Sequence, residues 1–245
     1  MDAAVVTGAG RGLGRATARR LAAEGYAVAV NDTDAEPAEE TADLVRAEGG
    51  EVIVCQRDVT DEGAADDLVS ETVSAFGRLD VLVNNAAVET VAPVLELSDE
   101  EWDRVIDVNL TAVFRLSRAA GRTFRDQGSG GDIVNISSFH DTRPRTGKIH
   151  YDTAKAGVWM LTKDLALALA PDDVAVNCVA PGVMATPMNE ELQSDPEAMA
   201  EQRERIPMGR LGDPEAVADA VAYLVDSRYV TGTRIAVDGG VSLVD

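Results

Sequence analysis

Short apolar segments alternate with helical segments along almost the whole chain, and this order limits the possible folds more than any other feature. Residues 3–7 are apolar and end at a glycine-rich turn, which is typical of a buried strand. The next segment, 13–24, has apolar side chains at helical spacing and ends at Gly25. Six more strands are predicted at 27–31, 51–57, 81–84, 133–136, 174–179 and 234–237. This alternation predicts a single α/β domain with a doubly wound, seven-stranded parallel sheet and helices on both faces.

The predicted helices follow the strands in the same rhythm. They lie at 35–48, from Asp61 onward, from Ser98 onward, at 109–125, at 151–169 and at 215–225. Ser98 with Glu101 three residues later is a capping box. The polar segment 185–208 interrupts the alternation and is too long for a simple connection. We therefore expect one domain, 1–245, in which 185–210 is a lid or helical insertion over a site.

The charge of the chain excludes several classes of partner. With 22 basic and 43 acidic residues the net charge is −21, which argues against binding to nucleic acid or to an anionic membrane surface. A GC-rich genome or a salt-loving host would each produce this bias. No apolar run reaches 18 residues, and the N-terminus lacks the pattern of a signal peptide, so we expect a cytoplasmic protein. Cys55 and Cys178 stand apart without a Cys/His cluster, which predicts reduced thiols and no metal site.

A glycine-rich turn joins the first strand to the first helix. Its glycines permit a tight turn and a close backbone approach to a pyrophosphate, and the helix N-terminus attracts the phosphates. In this strand–turn–helix context the pattern predicts a Rossmann-type dinucleotide site. The residues concerned are Gly8, Arg11, Gly12, Leu13 and Gly14.

Acidic and amide side chains follow the next strands. Asp32 stands 18 residues after Gly14, near the spacing of an acid that binds the adenosine ribose and repels a 2′-phosphate. This favours NAD, although Arg11 could meet the 2′-phosphate of NADP or could pair with a nearby acid. Asp58 and Val59 end the third strand and Asn85 and Ala86 end the fourth, at the edge of the sheet where ligands bind.

Tyr151 and Lys155 suggest acid–base chemistry. Residues four apart share one face of a helix, and an ammonium beside a phenol lowers the pKa of the phenol. A tyrosine tuned in this way can exchange a proton near neutral pH. Ser138, just past a strand, can hydrogen-bond a substrate oxygen. Asn109 is expected to begin a helix, either as a cap or with a first turn that opens to hold water.

Taken together, these motifs resemble the short-chain dehydrogenase/reductase family over nearly the whole chain. The resemblance implies that Tyr151 is the acid/base, that Lys155 tunes it and binds the nicotinamide ribose, and that Ser138 polarises the substrate oxygen. It further implies that Asn109 anchors a water for proton relay and that Asp32 holds the adenosine ribose. The remaining cofactor contacts that it implies are Asp58 and Val59 on the adenine, Asn85 beside the adenosine ribose portion, and Val183 and Thr186 at the carboxamide, with Ala86, Pro181 and Gly182 also in the cofactor site.

Near these motifs the chain also resembles bacterial glucose 1-dehydrogenases. The matching residues are Glu89, His140, His150 and the run 206–209. A polar lining of this kind suits a hydroxylated substrate, so an aldose or polyol is expected. Two alternatives stay open: an NADPH-dependent carbonyl reductase of the 3-oxoacyl-carrier-protein reductase type, and a catalytically silent nucleotide-binding sensor. The resemblance also implies a homotetramer, joined through the helices at 109–125 and 151–169; residues 159–161, Leu165 and Leu169 are apolar enough to serve.

Overall fold

A seven-stranded, all-parallel sheet forms the centre of the fold in a computed structural model that describes residues 1–244. The strand order is β3-β2-β1-β4-β5-β6-β7. The strands are β1 (Ala3–Thr7), β2 (Ala27–Asp32), β3 (Val52–Gln56), β4 (Val81–Asn84), β5 (Gly131–Ile136), β6 (Val174–Pro181) and β7 (Arg234–Val237). Every predicted strand lies within two residues of these bounds. The chain builds outward from β1 to β3 and then from β4 to β7, which leaves a switch point between β1 and β4 at the carboxyl edge.

Helices cover both faces of the sheet, as the alternation predicts. On one face lie α1 (Gly12–Ala23), α2 (Ala35–Ala47) and α9 (Pro214–Asp226). On the other lie α3 (Ala64–Phe76), α5 (Ala112–Gln127) and α6 (Ile149–Leu169). Successive strand residues serve opposite cores, because side chains alternate along a strand: Ala4 and Val6 pack in the first core and Val5 in the second.

Two helix starts differ from the sequence prediction. The helix expected from Asp61 begins three residues later, because Gly63 adopts a left-handed conformation with φ of 81° just before it. The helix expected to begin at Asn109 runs continuously from α4 (Asp99–Ile106) through a π-helical turn, Asp107–Thr111, into α5. Asn109 is therefore neither a cap nor a first-turn residue.

The segment predicted as an insertion is largely helical. It contains a 3-10 turn (Pro187–Asn189), α7 (Glu190–Ser194) and α8 (Pro196–Arg205). Its two ends are fastened side by side, because the Ala185 N–H donates to the Gly212 carbonyl (2.8 Å) and the Gly212 N–H donates to the Val183 carbonyl (3.0 Å). Within residues 1–244, none of the helices combines the length and apolarity that a membrane span requires.

Candidate active site

One cavity of about 960 Å³ runs along the carboxyl edge of the sheet, from the glycine-rich turn to α6. It collects most of the residues that the sequence assigns to a site. Those that line it are Gly8, Arg11, Gly12, Leu13, Asp32, Asp58, Val59, Asn85, Ala86, Glu89, Ser138, His140, Tyr151, Lys155, Pro181, Gly182, Val183 and Thr186. Asn109, Gly14 and His150 lie outside the lining.

The glycine-rich turn is shaped for a close backbone approach. Gly8 has a φ of 60°, and a β-carbon there would lie 2.8 Å from the Ala86 Cα. A β-carbon at Gly14 would lie 2.2 Å from the Gly8 carbonyl oxygen, so only glycine fits. The Asn85 amide nitrogen donates to the carbonyls of Thr7 (2.8 Å) and Gly8 (2.9 Å). Asn85 thus lines the cavity as predicted, but its side-chain N–H groups hold the turn in place.

The end of the cavity beside β2 is acidic. Asp32 accepts hydrogen bonds from the backbone N–H groups of Gly10 (2.8 Å) and Asp34 (3.2 Å), which fix its carboxylate at the strand end. Arg11 forms an ion pair with Asp34 at 2.6 Å, the paired alternative of the sequence analysis. Asp58 adds a third carboxylate to this lining. These charges oppose a phosphate group at this end of the cavity.

Tyr151 and Lys155 lie buried at the opposite end. They share a face of α6, and the Lys155 Nζ donates to the Ile136 carbonyl at 2.9 Å. Ser138 follows β5 with extended backbone and begins the 3-10 turn Phe139–Asp141. The Lys155 Nζ lies 5.6 Å from the centroid of the Tyr151 ring. The three side chains predicted to act together are therefore neighbours.

Burial dominates the titration of this group. It raises the pKa of the Tyr151 phenol above its usual value, against the opposing effects of the Arg145 guanidinium and the Ser138 hydroxyl. The sequence analysis predicted that Lys155 lowers the pKa of the Tyr151 phenol, and this prediction was wrong. Burial also lowers the pKa of Lys155, to about 8. The lysine ammonium is therefore partly deprotonated in the alkaline range.

Asn109 lies in a π-helical turn inside a continuous helix. The π-helical turn widens the backbone there, while the buried Asn109 side chain bonds to the loop after β4. Its Oδ1 accepts from the Val88 N–H (2.9 Å) and its Nδ2 donates to the Val88 carbonyl (2.8 Å). Asn109 therefore clamps the loop that carries Glu89.

Known proteins share both the sequence and the architecture of this chain. A family model described as enoyl-(acyl carrier protein) reductase matches residues 8–242. The 3beta-hydroxysteroid dehydrogenase 1 of Eggerthella lenta is 46% identical over 242 residues, which cover 98% of this chain and 93% of that protein. The glucose 1-dehydrogenase 2 of Bacillus subtilis is 39% identical over 244 residues, which cover 98% and 94%. The chain belongs to the short-chain dehydrogenase/reductase family.

A solved structure of the family agrees with the fold. The crystal structure of a gluconate 5-dehydrogenase from Burkholderia cenocepacia, in complex with NADP and tartrate, matches with a TM-score of 0.93 and 32% identity. The match covers 100% of this chain and 96% of the other. The predicted family and fold are confirmed, and this short-chain dehydrogenase/reductase is an NAD(P)-dependent oxidoreductase.

Of the residues predicted to contact the substrate, Glu89, His140 and His150 occupy different positions relative to the cavity. Glu89 lines the cavity and pairs with Lys148 and, at 3.4 Å, with Arg145. His140 also lines the cavity, with its Nδ1 2.9 Å from the Arg143 carbonyl oxygen. His150 is wrong as a substrate contact: it is completely buried, and its Nε2 lies 2.7 Å from the Thr90 Oγ1.

Sequence reasoning missed two groups of charged residues around Tyr151. Arg145 lines the cavity beside the tyrosine ring, and Lys148 pairs with Glu89. The available signal was a concentration of basic side chains at 143–148 in a strongly acidic chain. The second group is an ion pair between Arg234 and the fully buried Asp141 (2.8 Å), which also accepts from the Ser137 hydroxyl (3.0 Å). It fastens the turn that begins at Ser138 to β7.

Proposed function

We propose that this chain transfers a hydride between NAD and a secondary alcohol carbon of a small hydroxylated substrate, an aldose or a polyol. One observation carries the proposal: a single cavity joins the glycine-rich turn to Ser138, Tyr151 and Lys155. A dinucleotide laid along this cavity would place its pyrophosphate at the turn and its nicotinamide beside Tyr151. When bound, the nicotinamide supplies the hydride acceptor or donor.

The chain's own residues would hold the substrate and move its proton. The Ser138 hydroxyl would hydrogen-bond the substrate oxygen, and the Tyr151 phenolate would accept the hydroxyl proton during oxidation. Lys155, with a pKa of about 8, would bind the ribose and pass the proton onward toward the π-helical turn at Asn109. Oxidation should accelerate with rising pH as Tyr151 ionises.

The acidic end of the cavity supports NAD as the preferred cofactor. The Asp32 carboxylate would accept hydrogen bonds from the two ribose hydroxyls, whereas a 2′-phosphate would meet Asp32, Asp34 and Asp58. Arg11 is already paired with Asp34, so it offers only a partly neutralised charge to such a phosphate.

The polar mouth supports a hydroxylated substrate. Glu89, which pairs with Lys148, and His140 line the cavity near Tyr151 and would hydrogen-bond hydroxyl groups, so analogues without these groups would be rejected. The segment 185–210 would act as the lid, since Thr186, Met188 and Asn189 line the same cavity. A 3β-hydroxysteroid, suggested by the Eggerthella relative, belongs in the test as the apolar competitor.

The test follows reduced-nicotinamide absorbance with NAD or NADP and a panel of aldoses, polyols, simple secondary alcohols and a 3β-hydroxysteroid. We expect turnover with NAD and a sugar or polyol, and its loss in Tyr151→Phe with cofactor binding retained. Tyr229→Phe is the matched control, because Tyr229 is fully exposed. Turnover only of NADPH with a ketoacyl thioester would favour the carbonyl-reductase alternative, and silence with every substrate would favour the nucleotide sensor.

Assembly into a homotetramer is a further part of the proposal. On α6, Met160 and Leu167 are exposed, and on α5 Phe114 is 41% exposed. Leu165 and Leu169, which the sequence also offered for an interface, pack against the core beneath α6. Sedimentation equilibrium of the wild-type chain and of Leu167→Glu would test this arrangement, with a smaller assembly expected for the variant.

A further inference from the structure

Arg145 places a second cation against the catalytic phenol. Its guanidinium carbon lies 5.5 Å from the centroid of the Tyr151 ring, and the Lys155 Nζ lies 5.6 Å from the same centroid. We propose that Arg145 is a positioning residue that supplies the permanent positive charge beside Tyr151 and so favours its ionised form. This inference rests on the proposed role of Tyr151 as the acid/base.

Two carboxylates fix the guanidinium in this place. The Arg145 backbone N–H donates to the Asp152 Oδ2 at 2.8 Å, and its Nη2 lies 3.5 Å from the Asp152 Oδ1. Its Nη1 lies 3.4 Å from the Glu89 Oε1. Both acids are themselves largely buried, so the three charges form one cluster at the wall of the cavity.

Some polar atoms of the cluster lack hydrogen-bond partners. The Nε and Nη2 atoms of Arg145 are buried and make no hydrogen bond, and neither does the Asp152 Oδ1. Burial also lowers the pKa of Arg145, which shows that desolvation works against its charge. Burial of this cation costs free energy that its two ion pairs offset, and its position beside the ring gives it an electrostatic effect on Tyr151.

Lys155 cannot provide this charge over the whole pH range. Its ammonium is directed to the Ile136 carbonyl, and its pKa of about 8 means that it becomes neutral in alkaline solution. The guanidinium stays charged there, because arginine does not deprotonate in proteins. Arg145 is therefore the cation that stays charged in the alkaline range, where base favours the oxidation of an alcohol.

The other groups that face Tyr151 act in both directions. The Ser138 hydroxyl, on the turn after β5, lowers the pKa of the phenol, whereas Asp141 on the same turn and Asp152 on α6 raise it. Arg145, from the loop before α6, has the largest lowering effect among these neighbours. Removal of its charge should therefore move the ionisation of Tyr151 to higher pH.

The experiment is the pH profile of kcat/KM for oxidation by Arg145→Met, which keeps the length of the side chain and removes its charge. A unit charge 5.5 Å from the ring centroid, at an effective dielectric constant of about 20, shifts the ionisation of Tyr151 to lower pH by about two units. The carboxylates of Asp152 and Glu89 offset part of this shift. We expect the rising limb of the pH profile to move to higher pH by about one unit. At pH values below the limb kcat/KM should then fall about tenfold, and at pH values above it kcat/KM should change little. Arg145→Lys should restore most of the shift.

Several measurements separate this effect from a structural one. NAD affinity should match the wild type, and Arg46→Met, which removes an exposed arginine distant from the cavity, should leave the profile unchanged. An equal loss at every pH with the limb unmoved would overturn the inference. If neither Arg145 variant folds, Asp152→Asn takes its place, with a limb at lower pH expected and an unmoved limb overturning the inference.

Failure of the proposed function looks different. If Tyr151→Phe retains full activity, Tyr151 is not the base and the proposed mechanism falls. If Tyr151→Phe is inactive while Arg145→Met has the wild-type profile, only the role of Arg145 is refuted.

Discussion

The ion pair between Asp141 and Arg234 allows a quantitative test of how the Ser138 turn is held. The Asp141 side chain is 0% exposed and that of Arg234 17%, so replacement of Asp141 by Asn preserves shape but leaves a largely buried guanidinium unpaired. Removal of one partner of a buried pair costs about 3–5 kcal/mol. Because Arg234 retains some contact with water, we expect the lower value, about 3 kcal/mol. For a chain of this length that lowers the Tm by about 6–12 °C.

Thermal and urea unfolding, followed by circular dichroism, would measure this loss. Asp34→Asn is the matched control, since its pair with Arg11 is exposed on both sides and should contribute less than about 1 kcal/mol. The double variant Asp141→Asn with Arg234→Met should recover most of the stability, because no unpaired buried charge remains. A loss from Asp141→Asn no larger than that from Asp34→Asn would refute the argument that this pair holds the turn.

Three further predictions concern the glycine-rich turn, the cofactor and the pH dependence of stability. Gly14→Ala should abolish NAD binding, measured by calorimetry, since its β-carbon would lie 2.2 Å from the Gly8 carbonyl; unchanged affinity would contradict the packing argument. Asp32→Asn should raise the kcat/KM ratio for NADP over NAD by about tenfold, because it removes a charge that repels the 2′-phosphate; an unchanged ratio would remove Asp32 as the selector. Burial raises the pKa of Asp132 to about 7, so its contribution to stability is complete below the unfolded pKa of about 4 and is lost as pH rises through 7. Asp132→Asn should therefore raise the Tm at pH 8 by more than at pH 4, and equal effects at both pH values would refute this.

The strands were predictable because a strand that is buried on both faces has a continuous apolar sequence. A run such as 3–7 must be apolar throughout when each successive side chain enters a different core. The helix start at Asp61 was wrong because the sequence pattern of its apolar face does not show the conformation of Gly63, where the helix is delayed. The interior position of Asn109 was missed for a related reason: an asparagine before a helical pattern is most often a cap, and the π-helical turn has no sequence signature.

In the site, residues on regular elements were predicted better than those on loops. Tyr151 and Lys155 are related by helical spacing, and Ser138 by its position at a strand end, so fold and sequence locate them together. His150 precedes Tyr151 in sequence, yet the helix turns its ring away to Thr90. Arg145 lies on an irregular loop, where spacing along the chain does not give distance in space, and only the folded chain brings it to Tyr151.

The fastening of residues 183–185 to Gly212 has a consequence for how specificity can change. Because the two ends of the intervening segment are hydrogen-bonded to each other, what lies between them adds little strain to β6 or to α9. Insertions, deletions and exchanges in 190–211 therefore act on the cavity wall and leave Thr186, the predicted carboxamide contact beside Gly12, in place. A segment transplanted from a relative with another substrate, joined at this bridge, should carry the substrate preference of its donor into an otherwise unaltered catalyst.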